Sequence, residues 1–292
     1  MSRQPDRGDA RGIALPLDLS DEVSSALDQG RPVVALESTI LAHGLPQPRN
    51  LAVGADLEQR LRAAGVAPAT IAVIDGRVQI GLDGQQLERI ASSPDVAKAS
   101  VRDLPIVLAQ QADAATTVAS TAYLAALAGI DVFATGGLGG VHRDAMHSFD
   151  ESADLQTLGE TSLVVVSAGV KSILDVPATL ERLETLGVTL VGYRTDRFPG
   201  FYVTDSGEDL DWRVDTAAQV AAILRTGRAL GLEAAVAVAN PLPVDEQLDP
   251  ELHERVLNEA IAAADAAGVR GKAVTPFLLD HIQRATEGAS LE

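Results

Sequence analysis

Short apolar runs alternate with longer amphipathic stretches along the chain, and that alternation predicts an α/β protein. The strand-length runs are residues 32–36, 70–74, 130–134, 163–167, 188–192 and 234–239. Each is rich in Val, Ile or Ala and too short for a buried helix. Asp75-Gly76-Arg77 between two apolar runs predicts a hairpin, so the sheet should be mixed and largely parallel. Helical stretches fall between the runs. Asn50 reads as the N-cap of a helix carrying Leu51, Leu57 and Leu61 and ended by Gly65. Thr116 or Thr117 opens a second helix running to Gly129, and Pro177 sits in the first turn of a third with Leu180, Leu183 and Leu186. Residues 250–267 and 276–286 supply two more. The expected architecture is a single-domain helix/sheet/helix sandwich over residues 13–292, after a polar, disordered lead-in at residues 1–12.

Composition narrows the function. With 292 residues, 46% of them hydrophobic, the chain can bury a sizeable core. A formal net charge of -18 and a pI near 4.6 repel a phosphate backbone, which argues against nucleic-acid partners. A small anionic substrate is compatible if a few Lys and Arg gather in one pocket. Cysteine is absent, which removes disulfides, a thiolate nucleophile and cysteine-based metal sites. No apolar run approaches the ~18 residues of a membrane span, and the first residues lack a signal-peptide core. A cytoplasmic location without a membrane partner is the expectation.

Four strand ends carry polar or glycine-rich sequences, and in open α/β sheets ligands collect beyond the carboxyl ends of strands. These are Glu37-Ser38-Thr39, residues 135–140, residues 168–172 and Asn240-Pro241. The glycine loop 136–140 is not a dinucleotide fingerprint, because His142 stands where its last Gly belongs. It reads instead as backbone that approaches a small ligand. Gly271-Lys272 is followed by Ala273 rather than Ser or Thr, so it reads as a turn and not as a phosphate loop. Lys171, beside small apolar residues, could be a partly desolvated amine nucleophile with a lowered pKa, or an exposed lysine at a helix start. Glu37 is either a backbone cap or a general acid. Asp150 and Asp154, with His142 and His147 nearby, have the oxygen-rich character of a magnesium or manganese site. Ser152 or Asp150 could instead cap a short helix through Leu158, and a combined reading puts one carboxylate on metal and one on structure. The helix start at Thr116-Thr117 could hold a phosphate or be simply capped. Lys98 and Arg102 form a basic island in an acidic chain, or a solvated loop.

Together these segments resemble the pseudouridine-5'-phosphate glycosidase family, also called indigoidine synthase A-like. The carriers are VVALESTILAHGLPQP (33–48), APATIAVIDGRVQIGL (67–82), ATTVASTAYLAALAGIDVFATGGLGGVHR (115–143), FDESADL (149–155), SAGVKSILDVPATLERLETLGV (167–188), VANPLP (238–243) and GKAVTPFLL (271–279). The resemblance implies reversible cleavage of pseudouridine 5'-phosphate to uracil and ribose 5-phosphate through a lysine-linked sugar. It also implies a divalent ion, typically manganese with magnesium as an alternative, and a homotrimer. It makes Glu37 the proton donor, Lys171 the nucleophile and Asp150 the metal ligand. Lys98, Val118, Ser152, Ala153 and Asp154 become substrate contacts together with the Thr117 helix start, while Thr135 and His142 fall near the base. Two departures stand out. Val101-Arg102 replaces a pair of basic residues, and the family pattern runs on past Glu292 into an Asn-containing helix. A Schiff-base sugar-phosphate aldolase, or a sugar-phosphate binder without turnover, would need much the same pocket.

Overall fold

The computed structural model describes residues 16–269, 274–286 and 288–289. The expected lead-in and the Gly271-Lys272 turn lie outside these residues. Among the described residues eleven strands join in one mixed sheet: β1 (Leu17–Leu19), β2 (Val33–Leu36), β3 (Ala67–Ile74), β4 (Arg77–Ile80), β5 (Ala97–Ala99), β6 (Ala114–Thr116), β7 (Val132–Ala134), β8 (Val164–Ser167), β9 (Thr189–Tyr193), β10 (Arg213–Val214) and β11 (Val236–Ala239). The order is β1-β4-β3-β2-β7-β8-β11-β9-β10, with β6 on β3 and β5 on β6. Every pairing is parallel except β3 with β4 and β3 with β6. The expected mixed, largely parallel sheet is therefore present, and the six expected strands match to within a few residues. The five remaining strands have two to four residues each, too short to show a period.

Helices cover both faces. Val165 and Ala237 join the main core with Phe133 and Leu158, whereas Val164, Val236 and Val238 pack with Val220 and Leu224 of the helix Ala217–Ala229 on the other side. Alternate residues of one strand thus serve opposite layers, as two-sided burial requires.

One helix departs from expectation for a clear reason. It spans Arg49–Ala63, and Asn50 lies inside it, buried, rather than capping it. The Asn50 amide nitrogen donates to the carbonyls of Leu41 (2.7 Å) and Ala91 (2.8 Å). The buried stripe is Asn50, Gly54 and Glu58, and Leu57 faces outward. Glu58 accepts from the Thr70 hydroxyl at 2.6 Å and meets Arg62 at 3.1 Å, so its buried carboxylate is satisfied. Polar anchoring has replaced the leucine stripe.

The topology creates a gap at one place. β2 pairs with the first half of β3 and ends opposite Thr70, while β6 pairs with the second half of β3 in the reverse direction. Their carboxyl ends meet head to head beside Ile71. The Ser38 hydroxyl (2.7 Å) and the Thr116 hydroxyl (2.6 Å) both donate to the Ile71 carbonyl, and the Thr39 hydroxyl donates to Thr116 O at 2.7 Å. Neither strand can continue there, so their terminal residues turn out of the sheet together.

Candidate active site

Above this junction lies a cleft of about 380 Å³. Strand ends and loops from five elements line it: Glu37 and Thr39 after β2, Lys98 on β5 with Ser100 and Arg102 beyond it, Thr117 and Val118 after β6, Gly139 and Gly140 after β7, and Lys171 after β8. His142, Asp150, Glu151, Ser152, Ala153 and Asp154 also line it. Every expected site residue except Thr135 lines the cleft. Thr135 stands behind it, where its hydroxyl donates to Glu37 Oε1.

Glu37 is set for acid chemistry. Burial pushes its carboxyl above the usual carboxylate range, against the pull of the Lys171 charge and the Thr135 hydroxyl, with Asp154 adding to the rise and Lys98 opposing it. A desolvated lysine stands at Lys98. Its ammonium is pulled below the usual lysine range, first by burial and then by the positive charge of Lys171, with Asp154 and Glu37 opposing. The cleft therefore holds two lysines, an acid and an aspartate within electrostatic reach.

Asp154 is buried, and both its carboxylate oxygens are engaged. Oδ1 accepts from Ala119 N–H (2.9 Å) and Oδ2 from Gly139 N–H (2.8 Å), clamping the start of the helix Val118–Leu127 to the glycine loop. Thr117 caps that helix, its hydroxyl accepting from Ser120 N–H, and Ser152 caps the helix Ala153–Gly159. The capping roles weighed for these residues are real. They commit the N–H groups of Ala119, Ser120 and Asp154 to acceptors within the protein.

The glycine loop, expected to approach a small ligand, lines the cleft at Gly139 and Gly140 and also packs closely against the protein's own side chains. A Cβ on Gly139 would lie 2.3 Å from Ser152 Oγ and 2.6 Å from Asp154 Oδ2, and one on Gly140 would lie 2.4 Å from Thr179 Oγ1. Glycine is needed there so that Asp154 can reach the backbone.

The carboxylates do not form a metal cage. Among the described residues no three His, Asp or Glu side chains gather as ligands. Asp154 is occupied as described, and Glu151 pairs with Arg182 at 2.9 Å. His142 Nδ1 stands 3.9 Å from Asp150 Oδ2, and the His142 amide donates to Asp150 O. Asp150 offers a part-exposed carboxylate at the cleft, with His142 beside it. That donor set fits an ion held by one carboxylate with water and substrate oxygens, the habit of magnesium and manganese, and not an all-protein site. The structure also separates His142, beside Asp150, from Thr135, beside Glu37. Asn240 is exposed beyond β11 and is absent from the cleft wall.

Residues 22–292 match the family model described as indigoidine synthase A like protein. The chain belongs to that family. It is 61% identical over 280 residues to a pseudouridine-5'-phosphate glycosidase of Saccharopolyspora erythraea, covering 96% of this chain and 92% of the relative. A protein of the same name from Salinispora tropica is 63% identical over 271 residues, covering 92% and 84%. Among solved structures, the fold superposes on a prealnumycin C-glycosynthase in complex with ribulose 5-phosphate, with a TM-score of 0.88, 37% identity and coverage of 95% and 90%. An indigoidine synthase A-like protein of Thermotoga maritima gives a TM-score of 0.84 at 34% identity, covering 95% and 89%. No helix among the described residues is long and apolar enough to cross a membrane.

Residues that sequence reasoning missed fall into two kinds. Ile173 and Leu174 line the cleft, but in the sequence they look like any apolar pair. Ser38 organises the β2–β6 junction from complete burial, and only its place next to Glu37 marked it.

Proposed function

We propose that this chain is a pseudouridine-5'-phosphate glycosidase that reversibly cleaves its substrate to uracil and ribose 5-phosphate. The observation that carries this reading is the meeting, at one head-to-head strand junction, of an acid with a raised pKa and two lysines. Pseudouridine joins its sugar to a ring carbon, a poor leaving group for a two-carboxylate glycosidase. Lys171 Nζ attacks C1' of the ribose, the C1'–O4' bond breaks, and O4' gains a proton as the lysine nitrogen loses one. The nitrogen lone pair then forms a C1'=N bond while the bond to the uracil carbon breaks, its electron pair leaving with the base. Glu37 supplies the proton that this carbon takes up. Water hydrolyses the imine, releasing ribose 5-phosphate and free Lys171.

In this reading Lys98 and the backbone N–H groups of Val118 and Ala153, at the Thr117 and Ser152 helix starts, bind the phosphate and sugar, with Asp154 shaping that end of the cleft. Asp150 would hold a divalent ion, manganese by family resemblance, which when bound supplies positive charge to substrate oxygens. Homotrimeric assembly and a cytoplasmic location complete the reading. Incubation with uracil and ribose 5-phosphate, followed by chromatography and mass spectrometry for the C–C coupled product, tests it. An aldolase would ignore uracil and a pure binder would form no product. Either result would overturn the assignment.

A further inference from the structure

We propose that Phe201 is the flat apolar face against which the uracil ring stacks. This inference rests on the reaction proposed above. The segment between β9 and β10 is long and has no strand of its own, a type of loop that is usually functional. It leaves the sheet on the same rim as Glu37 and Lys171, because β2, β7, β8, β11 and β9 are mutually parallel. From β9 it crosses β11 and reaches the loops that follow β8 and β7. Phe201 N–H donates to Ala168 O at 3.1 Å, and Gly200 bridges to Gly169.

The ring then lies on glycine. A Cβ on Gly137 would fall 2.5 Å from two of its ring carbons, and one on Gly136 would fall 3.9 Å away. Gly136 directly follows Thr135, whose hydroxyl holds Glu37. The ring thus sits within a few residues of the acid that must deliver a proton to the base carbon.

Two features set Phe201 apart from a packing residue. Its φ is +70°, a conformation that is an outlier for a bulky side chain and persists only where the surroundings enforce it. It also stays partly exposed, while Phe198 in the same loop is buried in the core. Tyr202 meets it edge to face with centroids 4.5 Å apart, which fixes the plane. The residues lining the cleft offer cations and helix starts for a sugar phosphate, but include no Phe, Tyr or Trp for a planar base. Phe201 is not among them, and on this proposal it supplies the flat surface on the side of the cleft where Thr135 holds Glu37.

The test is steady-state coupling of uracil and ribose 5-phosphate by the full chain, with each KM measured separately. Phe201→Leu keeps the apolar volume and removes the flat face. It should raise the uracil KM by about tenfold or more while moving the ribose 5-phosphate KM by less than ~3-fold, the size expected for loss of one base–aromatic stack. Phe201→Tyr should hold the uracil KM near that of the unaltered chain. Gly137→Ala places its new carbon where the ring lies and should reproduce the Leu effect. It carries the test should the Leu variant not fold, with thermal melts reporting folding for each variant. An unchanged uracil KM in a folded variant, or an equal rise in both KM values, overturns this inference while leaving the reaction intact. Absence of coupled product from the unaltered chain overturns the proposed reaction, and the inference with it.

Discussion

On the inner wall of the cleft Glu37, Lys98, Asp154 and Lys171 feel one another's charge, and the hydrogen-bonding capacity of the two acids is largely taken. The outer wall, residues 142–151, is a short exposed turn. Met146 and Phe149 are 80% and 86% exposed, and Asp150 carries a carboxylate with a single distant histidine for company. The difference matches the two tasks proposed for them. Proton delivery and imine chemistry need groups held in place with altered proton affinity. An exchangeable ion whose shell is mostly water and substrate needs an accessible, uncommitted oxygen.

The sharpest way to break this comparison is at the inner wall. Lys171→Ala should reduce turnover by at least ~10⁴-fold, as expected for loss of a covalent nucleophile. Borohydride reduction in the presence of ribose 5-phosphate should place the sugar adduct on Lys171, by peptide mass mapping, and leave Lys98 clean. An adduct on Lys98 would transfer the nucleophilic role to the lysine with the lowered pKa.

Glu37→Gln should cost roughly 10² to 10⁴-fold in cleavage, the usual range for a general acid. Its raised pKa keeps the acid protonated to higher pH than an ordinary carboxyl, so cleavage should fall as pH rises through that raised value. The pH profile of the Gln variant should lack this limb. Because folding raises the pKa, the folded state binds this proton more tightly than the unfolded chain. The resulting stabilisation is complete below the unfolded pKa and is lost as pH rises through the folded one. At neutral pH the Gln variant should therefore melt no lower than the parent, and a clearly lower melt would mean that Glu37 holds structure together.

Asp154→Ala leaves the amides of Ala119 and Gly139 without their acceptor. Each unsatisfied buried amide costs roughly 1 to 3 kcal/mol, so thermal melts should drop visibly and further than for Asp154→Asn, whose amide oxygen still accepts. At the outer wall Asp150→Asn should raise the manganese concentration needed for half activity by at least ~10-fold without moving the melting temperature. Chelation should abolish turnover of the parent, and full activity of metal-free protein would remove the ion from the scheme. The smallest effect is expected at Glu151→Gln. Its pair with Arg182 is solvent-exposed, so the loss should stay within ~1 kcal/mol by denaturant melts.

The sheet and its main helices were legible in the sequence because β-branched runs and the Asp75-Gly76 turn announce themselves locally. Asn50 misled because it sits inside the first turn, where its amide oxygen accepts from Leu51 N–H while its amide nitrogen reaches out of the helix. Its partners lie at Leu41 and Ala91, and no local pattern reports a bond across that distance. Resemblance to a family located Glu37, Lys171 and Asp154. It did not reveal that Asp154 is a clamp between segments 35 and 15 residues away, or that burial lowers the pKa of Lys98. Phe201 was missed altogether. Its cue is a backbone angle and a pair of glycines at Gly136-Gly137, and those glycines read equally well as a ligand loop.

The strand order bears on how the chain is made. β11 lies between β8 and β9, yet it is the last strand to leave the ribosome. Until residues 236–239 emerge, β9 has only the two residues of β10 beside it. Glu37, Lys98, Thr117 and Lys171 all lie on segments synthesised earlier, and β2, β3, β5, β6, β7 and β8 can associate without β11. A nascent chain thus has the strands that carry these four residues before β11 exists, and β9 joins their sheet only through β11.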